Sequence, residues 1–355
     1  MSNTLPTTMK AAVMNKTREI TIEERPVPEI GGNEVLVKIM AVGICGSDIH
    51  YYEHGRIGRY VVEKPIILGH ECAGEVVAVG AGVTRIQPGT RVAIEPGVPC
   101  GFCDKCKDGR YNLCPDVEFM ATPPYDGAFV QYVKIREDAV FPIPDELSYE
   151  EAALIEPFSV GLHAARRSNL QPGNSIAIMG MGPVGLMAVV AAKAFGAGRI
   201  IVTDLEPVRL EAARKLGADV AINIREQEPV ETIKALTGGQ GVDVVWETAG
   251  HPQALQAALK SVNRGGTLAI VGLPMQDEIP LNIPFIADNE VDIFGIFRYA
   301  NTYPLGIQAL SSGVADVKSL VTDRYTLEQT QEAMERAITN KAGSLKVVVY
   351  PNGLI

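Results

Sequence analysis

The sequence predicts an α/β chain of two domains: a β-rich domain, interrupted by a doubly wound domain built on a parallel sheet, and completed by the last segment of the chain. Three observations predict it. A length of 355 residues suggests two domains more than one. Up to about residue 150, short β-branched runs are broken by Gly and Pro at turn positions. From Ser175 onward, apolar strands alternate with helices, the rhythm of a parallel sheet with helices on both faces.

The elements follow in order. "AAVMN", "REITIEE", "EVLVKIMAVGIC", "AGEVVAVGAGV" and "TRVAIEP" are the strands of the first part. "SYEEAALIEPFSVGLHAARRS" has a helical period, with Ser148 as N-cap before Glu150 and Glu151. Then come the strand "SIAIMG", the helix "GPVGLMAVVAAKAFG" ending at Gly196, the strand "RIIVTD" and the helix "PVRLEAARKLG". "DVAINI" and "VDVVWETAG" are strands, "HPQALQAALKSV" a helix and "GTLAIVG" a strand. After Arg298 the pattern is mixed until the strand "LKVVVY". The expected layout is residues 1–158 and 299–355 for the β-rich domain and 159–298 for the doubly wound domain.

Composition narrows the function classes. The chain is 46% hydrophobic and 21% charged, ordinary for a globular protein, with a net charge of −10. That balance speaks against nucleic acid or an anionic membrane as partner, since both need clustered Lys and Arg. No apolar run reaches the roughly 18 residues of a membrane span. "MSNTLPTTMK" lacks a charged stretch followed by an apolar one, so no signal peptide is expected and a cytoplasmic location is. In that compartment a cysteine cluster reads as metal-binding.

"IAIMGMGPVG" carries Gly180-x-Gly182-x-x-Gly185. The pattern means little alone, but here it follows an apolar strand and opens a helix, as in a Rossmann dinucleotide site. Gly180 allows the tight turn, Gly182 lets backbone approach a pyrophosphate, and Gly185 lets helix and strand pack closely. The phosphates would sit on the positive end of the helix. Asp204, ending "IIVTD", is placed to bond the ribose hydroxyls of NAD and would repel a 2′-phosphate. Arg209 either borders the adenine or is a plain surface residue.

"CGFCDKCKDGRYNLC" sets Cys100, Cys103, Cys106 and Cys114 at metal-ligand spacing. Four thiolates close a tetrahedral zinc shell and leave no position for water or substrate, so this site is structural. A nucleic-acid-binding zinc ribbon would bring basic clusters, which the acidic balance opposes. Cys45, His70 and Glu71, from "GICGSDIH" and "LGHECAGE", form a second candidate. Three protein ligands leave an open position, the mark of a catalytic zinc. Taken singly these residues are weak evidence, because a lone Cys is usually a small core residue; Cys72 is read that way.

Together "GICGSDIHYY", "GHE", the four-cysteine lobe, "EPFSVG", "GMGPVG", "IIVTD" and "GIFRYANTYP" resemble the zinc-dependent medium-chain alcohol/polyol dehydrogenases, in their polyol branch, from about Met9 to Tyr350. The resemblance implies a GroES-like β-rich catalytic domain beside the Rossmann domain, two zinc ions per subunit, and a homotetramer. It implies NAD-dependent oxidation of a polyol to a 2-ketose: sorbitol to fructose first, then xylitol and L-iditol. A threonine or butanediol dehydrogenase on the same scaffold is the near rival, and a non-catalytic zinc and nucleotide sensor the distant one.

By that resemblance Cys45, His70 and Glu71 hold the catalytic zinc. Glu156 either bonds the zinc-bound water or ligates directly, and as a first-turn helix carboxylate it also suits the dipole. Ser47 and His50 match positions that pass a proton outward. Tyr51, Phe119, Glu156, Arg298 and Tyr299 match substrate contacts. Val184, Val271, Gly272, Leu273, Ile296 and Phe297 join the glycines, Asp204 and Arg209 as cofactor contacts.

Overall fold

A computed structural model describes residues 5–340 and 342–354. The chain divides into two compact units. The first comprises residues 1–156 and 318–355, the second 157–317.

The first unit is built on a seven-stranded sheet. Its order in space is Val140–Pro142, Arg91–Ile94, Glu71–Val79, Glu34–Gly43, Lys346–Tyr350, Val321–Thr326. Tyr132–Arg136 shares the free flank of Glu34–Gly43, pairing with its first half, while Lys346–Tyr350 pairs with its end. Most residues of Glu34–Gly43 are buried, which explains the near-continuous apolar run "EVLVKIMAVG". Thr8–Lys16 pairs with Glu19–Pro26 and with Ile66–Ile67 in a smaller sheet. Val35, Val37, Ile39, Val42, Val76, Ile94 and Phe129 form the centre of this unit's core.

The second unit holds six parallel strands: Ser175–Met179, Arg199–Asp204, Val220–Asn223, Val242–Glu247, Val262–Ile270 and Asp292–Gly295. Counted in chain order, they stand 3-2-1-4-5-6 in space. The switch in direction falls between Ser175–Met179 and Val242–Glu247, the place where such sheets bind dinucleotides. Trp246 is fully buried, and its indole N–H donates to Ser168 Oγ at 3.0 Å.

The helical stretch around residue 155 is two helices, Tyr149–Ala153 and Ile155–Arg167. Ser148 caps the first, its hydroxyl accepting from Glu151 N–H while the Glu151 side chain reaches back. The division at 156/157 lies two residues before the expected one. The second crossing differs more: residues 299–317, assigned from sequence to the β-rich domain, belong to the second unit. They contain the helix Tyr303–Ser311, and Arg166 donates to the Asn301 carbonyl at 2.8 Å. The segment continues the sheet's last strand and adds none of its own, so no strand–helix alternation marks it in the sequence.

Among the described residues no helix is long and apolar enough to cross a membrane.

Candidate metal and dinucleotide sites

Cys45, His70 and Glu71 converge as the spacing alone could not show: one donor atom from each lies within 4.8 Å of the others. Sheet register explains it. Gly43 stands opposite Glu71 and Val42 opposite Cys72, so the end of one strand meets the start of the next. Cys45 then N-caps the helix Gly46–His54. Glu156, 6% exposed at the start of Ile155–Arg167, is not among the converging donors, though its charge acts on Cys72 and Glu95. Burial pushes the Cys72 thiol up to about 12, which suits its reading as core.

Asp48 was not singled out from sequence, yet it organises the centre. It is fully buried; Oδ2 accepts from Cys45 N–H at 2.9 Å and Oδ1 from Gly69 N–H at 2.9 Å. Oδ1 also faces His70 Nδ1 at 3.6 Å, which leaves Nε2 as the nitrogen available to a metal. Burial opposes charge on His70, but the Asp48 carboxylate and Cys45 thiolate hold its imidazole well above 6.5. A buried pocket in which an Asp48 carboxylate and a cysteine sulfur face an imidazole suits a cation. The signal was present in the sequence as Cys-x-x-Asp at a helix start, a capping box with sulfur in the hydroxyl's place.

Ser47 and His50 lie on the same short helix, half-buried, with the His50 and His54 rings 6.1 Å apart. Tyr51, on the same helix, is buried. The Phe119 ring packs 5.7 Å from that of His70.

Cys100, Cys103, Cys106 and Cys114 also converge within 4.8 Å, and none is in a disulfide. Cys103 and Cys106 sulfurs are 3.4 Å apart, Cys100 and Cys106 3.9 Å. A tetrahedron with Zn–S bonds of about 2.3 Å has edges of about 3.8 Å, so the set fits zinc and is closed. The Cys100 and Cys103 backbone N–H groups point at Cys114 and Cys100 sulfur, each at 3.4 Å. Tyr111 fastens the lobe to the sheet by donating to Glu95 Oε1 at 2.8 Å; burial raises that carboxyl to about 7.

In the second unit Gly180 has φ +95, and Gly182 N-caps the helix Pro183–Ala194. A Cβ on Gly182 would meet nothing within 4 Å, so space stands open above the helix end. A Cβ on Gly185 would strike the Gly180 carbonyl oxygen, so only glycine serves there. Such an open cradle of backbone donors fits a pyrophosphate. Val184 is half-buried in the helix's first turn. Asp204 ends its strand and already anchors the loop: Oδ2 accepts from Met181 N–H at 2.6 Å and Oδ1 from Glu206 N–H at 2.8 Å. Each oxygen keeps a lone pair for a ribose hydroxyl. Arg209 is half-buried two residues into the next helix, Pro207–Leu216.

Glu247 is a second residue missed from sequence. Its carbonyl accepts from Val271 and Gly272 N–H, both at 2.8 Å. Its Oε1 accepts from Ala249 and Gly250 N–H, both at 2.9 Å. One residue thus ties together two loops at the sheet's C-terminal edge. Leu273 is exposed, Ile296 buried and Phe297 partly exposed. Arg298 has φ +51, sparsely populated for a non-glycine, and its guanidinium lies over the Phe297 ring at 4.8 Å. Tyr299 is buried against Tyr303, ring centroids 5.9 Å apart.

An open three-donor metal centre in one unit and a parallel-sheet dinucleotide cradle in the other define a metal-dependent, nucleotide-linked oxidoreductase. The chain belongs to the zinc-binding, medium-chain dehydrogenase family, and within it is sorbitol dehydrogenase-like. The family model for the alcohol dehydrogenase GroES-like domain matches residues 31–145 and that for zinc-binding dehydrogenase residues 183–312. A sorbitol dehydrogenase from Bacillus subtilis is 72% identical, covering 99% of this chain and 100% of that one. A crystal structure of an Escherichia coli oxidoreductase of unknown specificity superposes with TM-score 0.93 at 42% identity, over 97% of this chain and 99% of that one. A butanediol dehydrogenase from Bacillus subtilis gives TM-score 0.89 at 34% identity, over 97% and 100%. The protein is an enzyme, and its chemistry uses zinc and a nicotinamide cofactor.

Proposed function

We propose that this enzyme oxidises a polyol to a 2-ketose with NAD+, sorbitol to fructose first and xylitol and L-iditol after it. The observation that carries the chemistry is the convergence of Cys45, His70 and Glu71 into a set of three donors with a position left open. The substrate class is supported by the 72% identity to a sorbitol dehydrogenase, against 34% to a butanediol dehydrogenase. Adding sorbitol to enzyme and NAD+ should produce NADH. Preference for butanediol or threonine over every alditol would move the assignment to the rival dehydrogenases, and no NADH from any alcohol would leave a sensor. A homotetramer in the cytoplasm goes with this reading; light scattering in solution tests the assembly.

Zinc, when bound, lowers the pKa of a hydroxyl toward neutrality, and NAD+ accepts the hydride. Cys45, His70 and Glu71 would hold that zinc, and Asp48 would orient His70. Glu156, a water, Ser47 and His50 form the exit for the hydroxyl proton. Gly180, Gly182 and Gly185 bring backbone to the pyrophosphate, while Val184, Val271, Gly272, Leu273, Ile296 and Phe297 line the cofactor. Tyr51, Phe119, Arg298 and Tyr299 contact the polyol.

Asp204 makes NAD+ the cofactor. Asp204→Ala, alone or with the exposed Leu205→Arg, should relax discrimination against NADP+. Each charge-assisted bond lost contributes about 1.5–3 kcal/mol, about ten- to a hundredfold in NAD+ affinity. The alanine variant also frees the Met181 and Glu206 N–H groups, so NAD+ affinity falls as NADP+ use rises. Equal use of NADP+ by the unaltered enzyme would refute this role.

An alditol carries a hydroxyl on every carbon, and Arg298 offers five donors in a fixed plane. Arg298→Leu should lower kcat/KM for sorbitol by about one to two decades, the equivalent of one charged hydrogen bond. Zinc content and NADH affinity should stay near those of the unaltered enzyme. A small secondary alcohol such as 2-butanol should suffer much less. Equal losses on both substrates would leave Arg298 a structural residue.

A further inference from the structure

The Cys45–His70–Glu71 centre contains a cation that no motif marks. Lys346 opens the strand Lys346–Tyr350, and its side chain is only 1% exposed, rare for lysine. Its Nζ is ion-paired with Glu71 Oε2 and donates to the Ile44 carbonyl at 3.0 Å. Register puts these groups together: Val348 stands opposite Gly43, and Gly43 opposite Glu71. The missing side chain of Gly43 supplies the room, because a Cβ there would meet both Glu71 Oε2 and, at 2.7 Å, Lys346 Cε. One ammonium therefore grips both segments that carry anionic metal donors, Glu71 directly and Cys45 through its neighbour Ile44.

We propose that Lys346 is a positioning residue of the catalytic metal site, holding Glu71 to a single donor oxygen and pinning the Cys45 segment beside it. The inference rests on the assignment of Cys45, His70 and Glu71 as zinc ligands. A carboxylate that gives a metal both oxygens fills the position a substrate needs. With one oxygen engaged by the ammonium, one is left to donate, and the site stays at three protein donors with an opening. Two anionic donors neutralise a divalent cation. The nearby ammonium withdraws charge from one of them and leaves the metal a stronger Lewis acid. Outer-shell partners of this kind typically change metal affinity ten- to a hundredfold.

The test is metal binding by the full-length enzyme, read apart from turnover. Lys346→Met keeps length and removes charge; Lys346→Gln keeps a donor for the Ile44 carbonyl and serves if the Met variant does not fold; Lys346→Arg restores the cation. Affinity of the exchangeable site is measured by chelator competition, and its geometry by the visible spectrum after cobalt(II) replaces zinc there. The Met or Gln variant should keep the four-cysteine zinc and bind metal at the second site about ten- to a hundredfold more tightly, because Glu71 regains its full charge and a second donor oxygen. Its cobalt bands should weaken, as a second carboxylate oxygen raises the coordination number, and Lys346→Arg should recover much of both. Weaker binding in the neutral variant would leave Lys346 a structural support and overturn the proposal, and so would unaltered affinity with an unaltered cobalt spectrum. Cys45→Ser is the control for the underlying assignment: if that variant retains the exchangeable metal, the ligand set is wrong, whatever Lys346 does.

Discussion

Cys45→Ser is expected to fold like the unaltered protein and to lose turnover by about three decades or more. The Lewis acid contributes several kcal/mol to the transition state, and each 1.36 kcal/mol is about tenfold in rate. Removing a thiolate from a three-donor set loosens the metal that supplies it. The thiol is not part of the packed core, for Cys45 is half-buried at a helix start, so the fold should survive. Metal analysis should find the zinc of the four-cysteine lobe and little else. Circular dichroism and the thermal midpoint should remain close to those of the unaltered enzyme. A variant that turns over sorbitol normally would show that the chemistry lies elsewhere.

Cys103→Ser should have the opposite signature. The proposed four-cysteine shell would be closed, its donors within 4.8 Å of one another, so a metal there is expected to contribute folding energy and to take no part in the reaction. Phe102 at the tip of the lobe is 70% exposed, while Cys114 and Asn112 are buried and the Tyr111–Glu95 and Arg136–Pro99 bonds tie the lobe inward. Loss of the metal should lower the thermal midpoint of the unit that carries the lobe by roughly 5 °C or more, at about 2–4 °C per kcal/mol for a folding unit of roughly 150–250 residues. Molecules that remain folded should still convert sorbitol. Metal analysis again finds one zinc, this time the exchangeable one, so zinc content paired with stability and turnover separates the two sites. Unchanged stability in a variant lacking that zinc would remove the structural role.

How legible the site was depended on distance along the chain. Cys100 to Cys114 lie in one loop, so their spacing alone indicated a closed shell. Gly180, Gly182 and Gly185 sit in one turn between a strand and a helix, and their sterics are local: the Gly185 hydrogen faces the Gly180 carbonyl. Asp204 was legible because it ends the strand that follows the glycine turn and its helix, at the spacing of a ribose-binding acid. The parallel sheet sets that strand beside the turn. Asp48 was local too, three residues after Cys45, but a cysteine in the cap position hid the motif. Arg298 and Tyr299 were named from resemblance, and the positive φ at Arg298 had no mark in the residues around it.

By itself the sequence determined the class of each half, the closed shell and the dinucleotide turn, because periodicity, ligand spacing and glycine sterics act over a few residues. Only the tertiary structure decided that Cys45 meets His70 and Glu71, that residues 299–317 belong with the parallel sheet, and that Lys346 stands 302 residues from Ile44 in the chain yet bonds its carbonyl. Those outcomes depend on strand register. Side chains alternate across a strand, so a slip of one residue would turn Lys346 away from Glu71 and carry Glu71 itself to the other face. Burial of both faces of the Glu34–Gly43 strand holds that register, and it is a property of the whole sheet.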